Sequence, residues 1–299
     1  MLTPFSPPQA VPVFSGFDYV TVDAQRRRVY AAHSGARALL VVDADTGAVV
    51  GQVRTGPMHG VAVDPTNGHV FTGNGDDDTV SEVDPVALKV VRSVKVGGAV
   101  DAIAYDPANR RIYADEDDGT HVYVVDAATF TLLKTILVPG HKSEYLAVDP
   151  ATHEVYQNID DLAEIAVIDP TRLEVSRTIP TPELQHNHPL QFDAKLNEIV
   201  VAGGGRMSAY EPSGRKLGTI AVGRFDQCSL DPSQDVLACA GGGSVDRFQL
   251  HAGGAPTQID TTPVDPGVHT VGVDPRTHRV FVVWSRRDGG GDFVQTLAP

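Results

Sequence analysis

One short hairpin signature recurs seven times along this 299-residue chain, and it constrains the fold more than any other feature. The copies read VDAQRRRVY, VDPTNGHVF, YDPANRRIY, VDPATHEVY, FDAKLNEIV, LDPSQDVLA and VDPRTHRVF. The second position of every copy is an aspartate, hereafter the anchor, and the seven anchors are Asp23, Asp64, Asp106, Asp149, Asp193, Asp231 and Asp274. Successive anchors are 38 to 44 residues apart, a period typical of repeating units of four short strands.

The alternation of apolar residues around each anchor predicts the four strands of such a unit. A strand of small apolar residues enters the anchor turn, a β-branched or aromatic strand leaves it, and two more alternating strands follow. The last copy ends after three strands, at DFVQTLAP, whereas QAVPVFSG before the first copy resembles a spare fourth strand. We therefore predict an all-β fold, a seven-bladed β-propeller with four-stranded antiparallel blades whose last blade is closed by the N-terminal strand, in a single domain over residues 1–299.

The V-D-P-x-x-x-x-V-Y hairpins and the V-V-D-x-x-T turns that follow them resemble those of the YVTN-repeat, or YncE-like, β-propellers. The resemblance covers nearly the whole chain and implies the propeller fold. It implies little about activity, because propellers of this kind serve as enzymes, binding proteins and scaffolds. Two copies depart from the pattern, since glycine runs at 203–205 and 241–243 replace the loop of the second hairpin. These runs predict short loops that open one side of a face.

Bulk composition excludes several classes of function. No segment approaches the roughly 18 apolar residues of a membrane span, and a net charge of −14 disfavours nucleic acid and anionic membranes as partners. The N-terminal segment lacks the features of a secretory signal, so a cytoplasmic location is expected unless a leader has been removed. The two cysteines, Cys228 and Cys239, fall on adjacent strands of one blade. A cross-strand disulfide is one option. Two cysteines are too few for the disulfide framework of a small secreted domain, however, and buried free thiols are expected.

One position of the aligned repeats holds an acidic residue or a histidine in every copy. Five residues before the anchor, each copy holds a carboxylate or an imidazole, and apart from the anchor no other column holds an ionisable side chain in every copy. We call this set the axial ring, and its members are Asp18, His59, Asp101, Glu144, His188, Asp226 and His269. Because these residues begin the innermost strands, we expect their side chains to meet at the mouth of the central channel.

The three histidines of the axial ring predict a metal site. His59, His188 and His269 come from blades 2, 5 and 7, close to a triangular arrangement, and three imidazoles with open positions for water or substrate are typical of a catalytic metal. Zinc, iron, copper, nickel and manganese all suit such ligands, whereas calcium prefers oxygen. The ring acids are candidates to bind the metal, to orient the imidazoles, or to act as general base on a metal-bound water. These catalytic candidates are Asp18, Asp101, Glu144 and Asp226.

Three functions remain open at this point. The first is a metal-dependent hydrolase or lyase that acts on a small polar substrate, and the second is an iron or copper oxidoreductase at the same site. The third is a non-catalytic propeller that binds a protein partner, in which the ring merely lines a polar channel. Aromatic residues make up only 6% of the chain and the single Trp284 lies within a strand, which disfavours the third hypothesis. The sequence has no GxSxG, GxxxxGK[ST] or HExxH motif.

Overall fold

Seven antiparallel sheets make up the computed structural model, which describes residues 1–11, 16–286 and 289–299. We number the sheets as blades 1 to 7 in chain order. In each blade the innermost strand is the one that ends at or just before the anchor, and it packs against the innermost strands of the neighbouring blades. The predicted all-β, seven-bladed propeller is confirmed.

The strands of the first four blades follow one another in chain order. Blade 1 comprises β3 (Val20–Asp23), β4 (Arg28–His33), β5 (Ala38–Asp43) and β6 (Val49–Arg54). Blade 2 comprises β7 (Met58–Val63), β8 (Val70–Asn74), β9 (Thr79–Asp84) and β10 (Lys89–Lys95). Blade 3 comprises β11 (Val100–Asp106), β12 (Arg111–Glu116), β13 (His121–Asp126) and β14 (Thr131–Leu137). Blade 4 comprises β15 (Ser143–Val148), β16 (Val155–Ile159), β17 (Glu164–Asp169) and β18 (Glu174–Pro180), with a 3₁₀ turn at Asp160–Leu162.

The last three blades complete the ring. Blade 5 comprises β19 (Asn187–Asp193), β20 (Glu198–Gly203), β21 (Arg206–Tyr210) and β22 (Lys216–Ala221). Blade 6 comprises β23 (Gln227–Asp231), β24 (Val236–Gly241), β25 (Ser244–Gln249) and β26 (Thr257–Pro263). Blade 7 comprises β27 (Thr270–Val273), β28 (Val280–Ser285) and β29 (Asp292–Ala298), together with β1 (Thr3–Pro4) and β2 (Gln9–Val11).

The N-terminal segment closes blade 7, as predicted. Both β1 and β2 pair with β29, the last strand of the chain, so two short pieces occupy the place of the fourth strand. Only the first three residues of the predicted closing segment, Gln9–Val11, belong to β2. Residues 12–15 of that segment lie outside the described residues.

The recurrence of the anchor aspartate has a physical cause. All seven anchors are buried, and each accepts a hydrogen bond on its side-chain carboxylate from a backbone N–H two or three residues further along the turn. In blade 2, for example, the Thr66 N–H donates to Asp64 Oδ1 over 2.8 Å. A short carboxylate that folds back on its own backbone fixes the turn, and so the same residue type is needed in every blade.

The two glycine runs form short turns, as predicted. Gly203 pairs directly with Arg206, and Gly241 pairs with Ser244, so each hairpin has only two residues in its turn. Those two residues have positive φ in both hairpins, 57° and 80° in blade 5 and 60° and 83° in blade 6. Two-residue hairpins with both φ values positive strongly favour glycine.

The expectation of free thiols is wrong. Cys228 and Cys239 stand directly opposite each other on β23 and β24, with their Cα atoms 4.0 Å apart, and they form a disulfide. The sequence placed the two residues on adjacent strands but did not give the pairing register, which decides whether two cysteines face each other. Within the described ranges, no helix is long and apolar enough to cross a membrane.

Candidate functional site

The axial ring lies where the innermost strands begin, and a backbone irregularity shapes it in four blades. In blade 2, Met58 pairs with Asn74 and Val61 pairs with Thr72, so His59 and Gly60 stand opposite a single residue. Blades 3, 4 and 5 carry the same β-bulge at their ring residues. A bulge changes the direction of a side chain at the end of a strand. In five of the seven neighbouring pairs of ring residues, the side chains lie within ion-pair distance of each other.

Each ring histidine lies beside ring carboxylates of neighbouring blades. The Nδ1 atom of His59 is 2.7 Å from Asp18 Oδ2 and 3.7 Å from Asp101 Oδ1. The Nε2 atom of His188 is 2.9 Å from Glu144 Oε2 and 3.8 Å from Asp226 Oδ1. His269 Nδ1 is 2.6 Å from Asp226 Oδ2. The column that the sequence identified is thus a ring of alternating charges, interrupted only where Asp101 and Glu144 are neighbours.

One part of the ring brings three potential ligand atoms together. Asp18, His59 and Asp101 each offer one such atom, and the three atoms lie within 4.8 Å of one another. This is the only group of three or more histidine, cysteine, aspartate or glutamate side chains with that property in the described part of the chain. It contains one of the three histidines predicted as ligands, and the set of His59, His188 and His269 stays a prediction.

Two further side chains hold the carboxylates of this group in place. Gln227 Nε2 donates to Asp18 Oδ1 over 2.9 Å, and the Tyr19 hydroxyl donates to Asp101 Oδ2 over 3.3 Å. One oxygen of each carboxylate is therefore occupied, while the other faces His59 Nδ1. Such outer contacts fix the orientation of ligands around a metal.

The opposite part of the ring contains a lysine that the column analysis missed. Lys142 Nζ lies 2.8 Å from Glu144 Oε1 and 3.1 Å from Asp160 Oδ2. Burial raises the pKa of Glu144, but the hydrogen bonds and charges of His188 and Lys142 outweigh it and lower the pKa overall. The Nδ1 atom of His188 is buried without a hydrogen-bond partner among the described residues. Lys142 could have been noticed as a cation two residues before the ring column.

Electrostatics distinguish the members of the ring. The hydrogen bond with Asp18 raises the pKa of His59 to about 9. Burial lowers the pKa of His188, but its contacts with Glu144 and the charge of Asp226 raise it to about 9 overall. Burial and the charge of Asp18 raise the pKa of Asp101 well above its ordinary value. Two carboxylates thus share a partly buried space, an arrangement that a bound cation stabilises.

Raising the pH is expected to destabilise the metal-free protein. A histidine with a folded pKa of about 9 and an ordinary value of 6.5 contributes its full stabilisation below pH 6.5, and this stabilisation is lost as the pH rises through about 9. The double variant His59→Gln, His188→Gln should therefore show a flatter profile between these pH values. Urea unfolding across the pH range measures the profile, and NMR titration of the imidazole carbons gives each pKa. Values for both rings at or below 6.5 would contradict the prediction.

A tyrosine pair lies next to the ring along the channel. The rings of Tyr19 and Tyr145 are 5.4 Å apart between centroids, and Gln191 Nε2 donates to the Tyr145 hydroxyl over 2.9 Å. These three residues also border a cavity of about 270 Å³ between the innermost strands of blades 1 to 5. The small residues of the innermost strands contribute to its lining, among them Thr21, Ala62, Ala104 and Ala147.

Residues 115–118 form a run of four acidic side chains near the ring. Within this run, Glu116 accepts hydrogen bonds from the Tyr123 hydroxyl and the Thr120 N–H and lies 2.8 Å from His121 Nδ1. Asp115 is fully buried and accepts hydrogen bonds from the Ala102 N–H and from Gln157 Nε2. Asp115 and Glu116 are therefore held by hydrogen bonds within blade 3 and from blade 4.

Comparison with known proteins identifies a fold and no family. The structure is similar to a chain of Kuenenia stuttgartiensis hydrazine synthase, with a TM-score of 0.82 and 14% sequence identity over 96% of this chain and 97% of that chain. At this identity the similarity shows the propeller fold alone. No protein-family model and no curated protein matches the sequence significantly. The YVTN-repeat resemblance therefore rests on the hairpin and turn motifs.

Proposed function

We propose that this propeller is a metal-dependent enzyme that acts on a small polar substrate at the mouth of its central channel. A single observation carries the proposal, namely that Asp18, His59 and Asp101 each offer one potential ligand atom and the three atoms lie within 4.8 Å of one another. The three ligands come from blades 1, 2 and 3, and all three side chains are partly accessible, between 13% and 28% exposed. A metal held there has room for water or substrate on the side of the mouth.

The chemistry of the donor atoms fits a divalent transition metal. One imidazole with two carboxylates suits manganese, iron or zinc, and copper and nickel remain candidates through the imidazole. The proton on His59 Nδ1 lies beside both carboxylates, and a metal would replace it, so metal affinity should increase with pH. In this proposal Asp18 and Asp101 are ligands, whereas the sequence analysis left their role open between ligand, orienting group and base.

The remaining ring residues are suited to moving protons. Glu144 lies 2.9 Å from His188 and Asp226 lies 2.6 Å from His269, which gives two carboxylate–imidazole pairs in the rest of the ring. With a metal bound at the mouth, such pairs would accept a proton from water or donate one to a leaving group. Hydrolysis or elimination uses the metal as a Lewis acid. An iron or copper oxidoreductase would use the same ligands, and the identity of the metal separates the two alternatives.

Elemental analysis of untagged protein, reconstituted with Mn²⁺, Fe²⁺ or Zn²⁺ at pH 8 and then desalted, tests the proposal. We expect near-stoichiometric metal in the wild type. His59→Gln and Asp101→Asn should each weaken binding by more than the roughly 10- to 100-fold that loss of an outer orienting group costs. The double variant His188→Gln, His269→Gln is the matched control and should retain the metal.

Each alternative predicts a different result in the same experiment. If the double variant loses the metal as completely as His59→Gln, the three-histidine site is right and the site proposed here is wrong. If the wild type binds none of the three metals, the metalloenzyme proposal fails, and the ring is a polar lining in a propeller that binds a partner. Circular dichroism of every variant establishes that the fold is retained.

We also propose that the protein is located in an oxidising compartment. A cytoplasmic location was expected from the N-terminal sequence. The disulfide between Cys228 and Cys239 favours an oxidising compartment instead, since disulfides rarely persist in the cytosol.

A further inference from the structure

A cleft opens beside the axial ring, between blades 6 and 7. Its volume is about 510 Å³, and it reaches two members of the ring. The residues of the cleft that matter here are Phe17, Arg224, Phe225, Asp226, Gly242 and His269. A smaller cleft of about 210 Å³ lies on the blade 5 side, and Arg224 and Phe225 line both. These two residues therefore form a ridge between two openings next to the ring.

The second glycine run creates the space. A side chain at Gly241 would collide with the backbone carbonyl of Arg224, so glycine allows the segment before blade 6 to approach the hairpin of the same blade. Gly242 has no atom within 4 Å of the position that a Cβ would take. The turn therefore leaves the cleft open where blades 1, 2 and 4 carry longer turns with side chains.

The cleft contains an uncompensated positive charge. Arg224 is exposed, and no ion pair of the described residues involves it, although the whole chain carries a net charge of −14. The carboxylate in the cleft, Asp226, is already 2.6 Å from His269 Nδ1. A guanidinium group binds a carboxylate through two parallel hydrogen bonds. Arg224 is thus available for an anionic ligand.

Two aromatic rings give the cleft fixed apolar walls. Phe17 is buried and stacks on His33 with 4.2 Å between ring centroids. Phe225 packs edge-on against Phe248 at 5.7 Å. Rings held by such contacts present an apolar surface without moving, which suits a planar or apolar body attached to the anion.

We propose that this cleft binds a small organic carboxylate with an apolar or aromatic body, as the substrate of the axial site. Arg224 binds the carboxylate, Phe17 and Phe225 contact the body, and the rest of the substrate extends over the ring. The cleft lies beside the metal position, because its lining includes the ring residues Asp226 and His269 and also Phe17, which directly precedes the proposed ligand Asp18 in the chain. The assignment of this carboxylate as a substrate rests on the proposed function, whereas its binding in the cleft does not.

Calorimetric titration of the metal-free protein with benzoate, and with benzamide as the uncharged counterpart, tests the binding. We expect benzoate to bind and benzamide to bind much more weakly. Arg224→Gln should weaken benzoate binding roughly 10- to 100-fold, the effect of losing hydrogen bonds between charged groups. Arg206→Gln is the matched control, because it removes the same charge from an exposed residue of the neighbouring hairpin outside the cleft, and it should leave binding unchanged.

The outcomes separate this inference from the proposed function. Equal binding of the two probes, retention of benzoate by Arg224→Gln, or no benzoate binding at millimolar concentrations would each overturn it. The variants His59→Gln and Asp101→Asn should lose the metal yet keep benzoate. A protein that binds benzoate through Arg224 but no metal would retain the anion cleft and overturn only the metal site.

Discussion

Replacing His33 with alanine should lower the free energy of unfolding by about 3 to 5 kcal/mol, because it leaves a cavity in place of a buried ring and removes a hydrogen bond to a buried carboxylate. His33 on β4 and Asp292 on β29 are both almost fully buried, and His33 Nε2 lies 2.7 Å from Asp292 Oδ2. Gln52 Nε2 donates to the other ring nitrogen over 3.1 Å. Burial lowers the pKa of His33, so its ring is neutral with the proton on Nε2.

The position of this pair explains the size of the expected effect. It joins the first complete blade to the last strand of the chain, where the ring closes. Urea unfolding measures the loss. The matched control is His69→Ala, which removes a ring 2.6 Å from Glu82 that is 28% exposed, while Glu82 keeps its contact with Arg92. That variant should cost about 1 kcal/mol or less, and equal losses in the two variants would refute a special role for the buried pair.

Removing the disulfide is expected to cost about 3 kcal/mol. The bond closes a segment with a sequence separation of 11, and the loss of loop entropy in the unfolded chain predicts a stabilisation of this size. The double variant Cys228→Ala, Cys239→Ala should therefore unfold at a lower urea concentration than the oxidised wild type. Mass spectrometry after alkylation under denaturing conditions counts the free thiols directly.

A reducing agent provides the control for this prediction. Dithiothreitol should destabilise the wild type and leave the double variant unchanged. Two alkylated cysteines in untreated protein would contradict this prediction, because they would show that the bond does not form in solution. The bond lies one residue beyond Gln227, which holds Asp18 in the candidate metal site, so its reduction should also be tested for loss of metal.

The blade count and the turns follow from local sequence. Each anchor aspartate makes its decisive hydrogen bonds within its own turn, as Asp64 does with the Thr66 N–H, and therefore the repeat is visible without knowledge of distant contacts. The glycine pairs, with positive φ at both turn positions, are equally local. Closure of the last blade could be predicted because the final copy lacks one strand and the N-terminal segment supplies it.

One part of the candidate site follows from the alignment of the repeats, and the other part depends on packing between blades. The sequence alone determined that every blade offers a carboxylate or an imidazole at one position, since aligned repeats place equivalent residues around one axis. Only the tertiary structure decided that His59 lies between Asp18 and Asp101, and that Cys228 faces Cys239. Those contacts depend on β-bulges, strand register and the spacing of blades, which arise from packing between residues far apart in the chain and leave no signal within a single repeat.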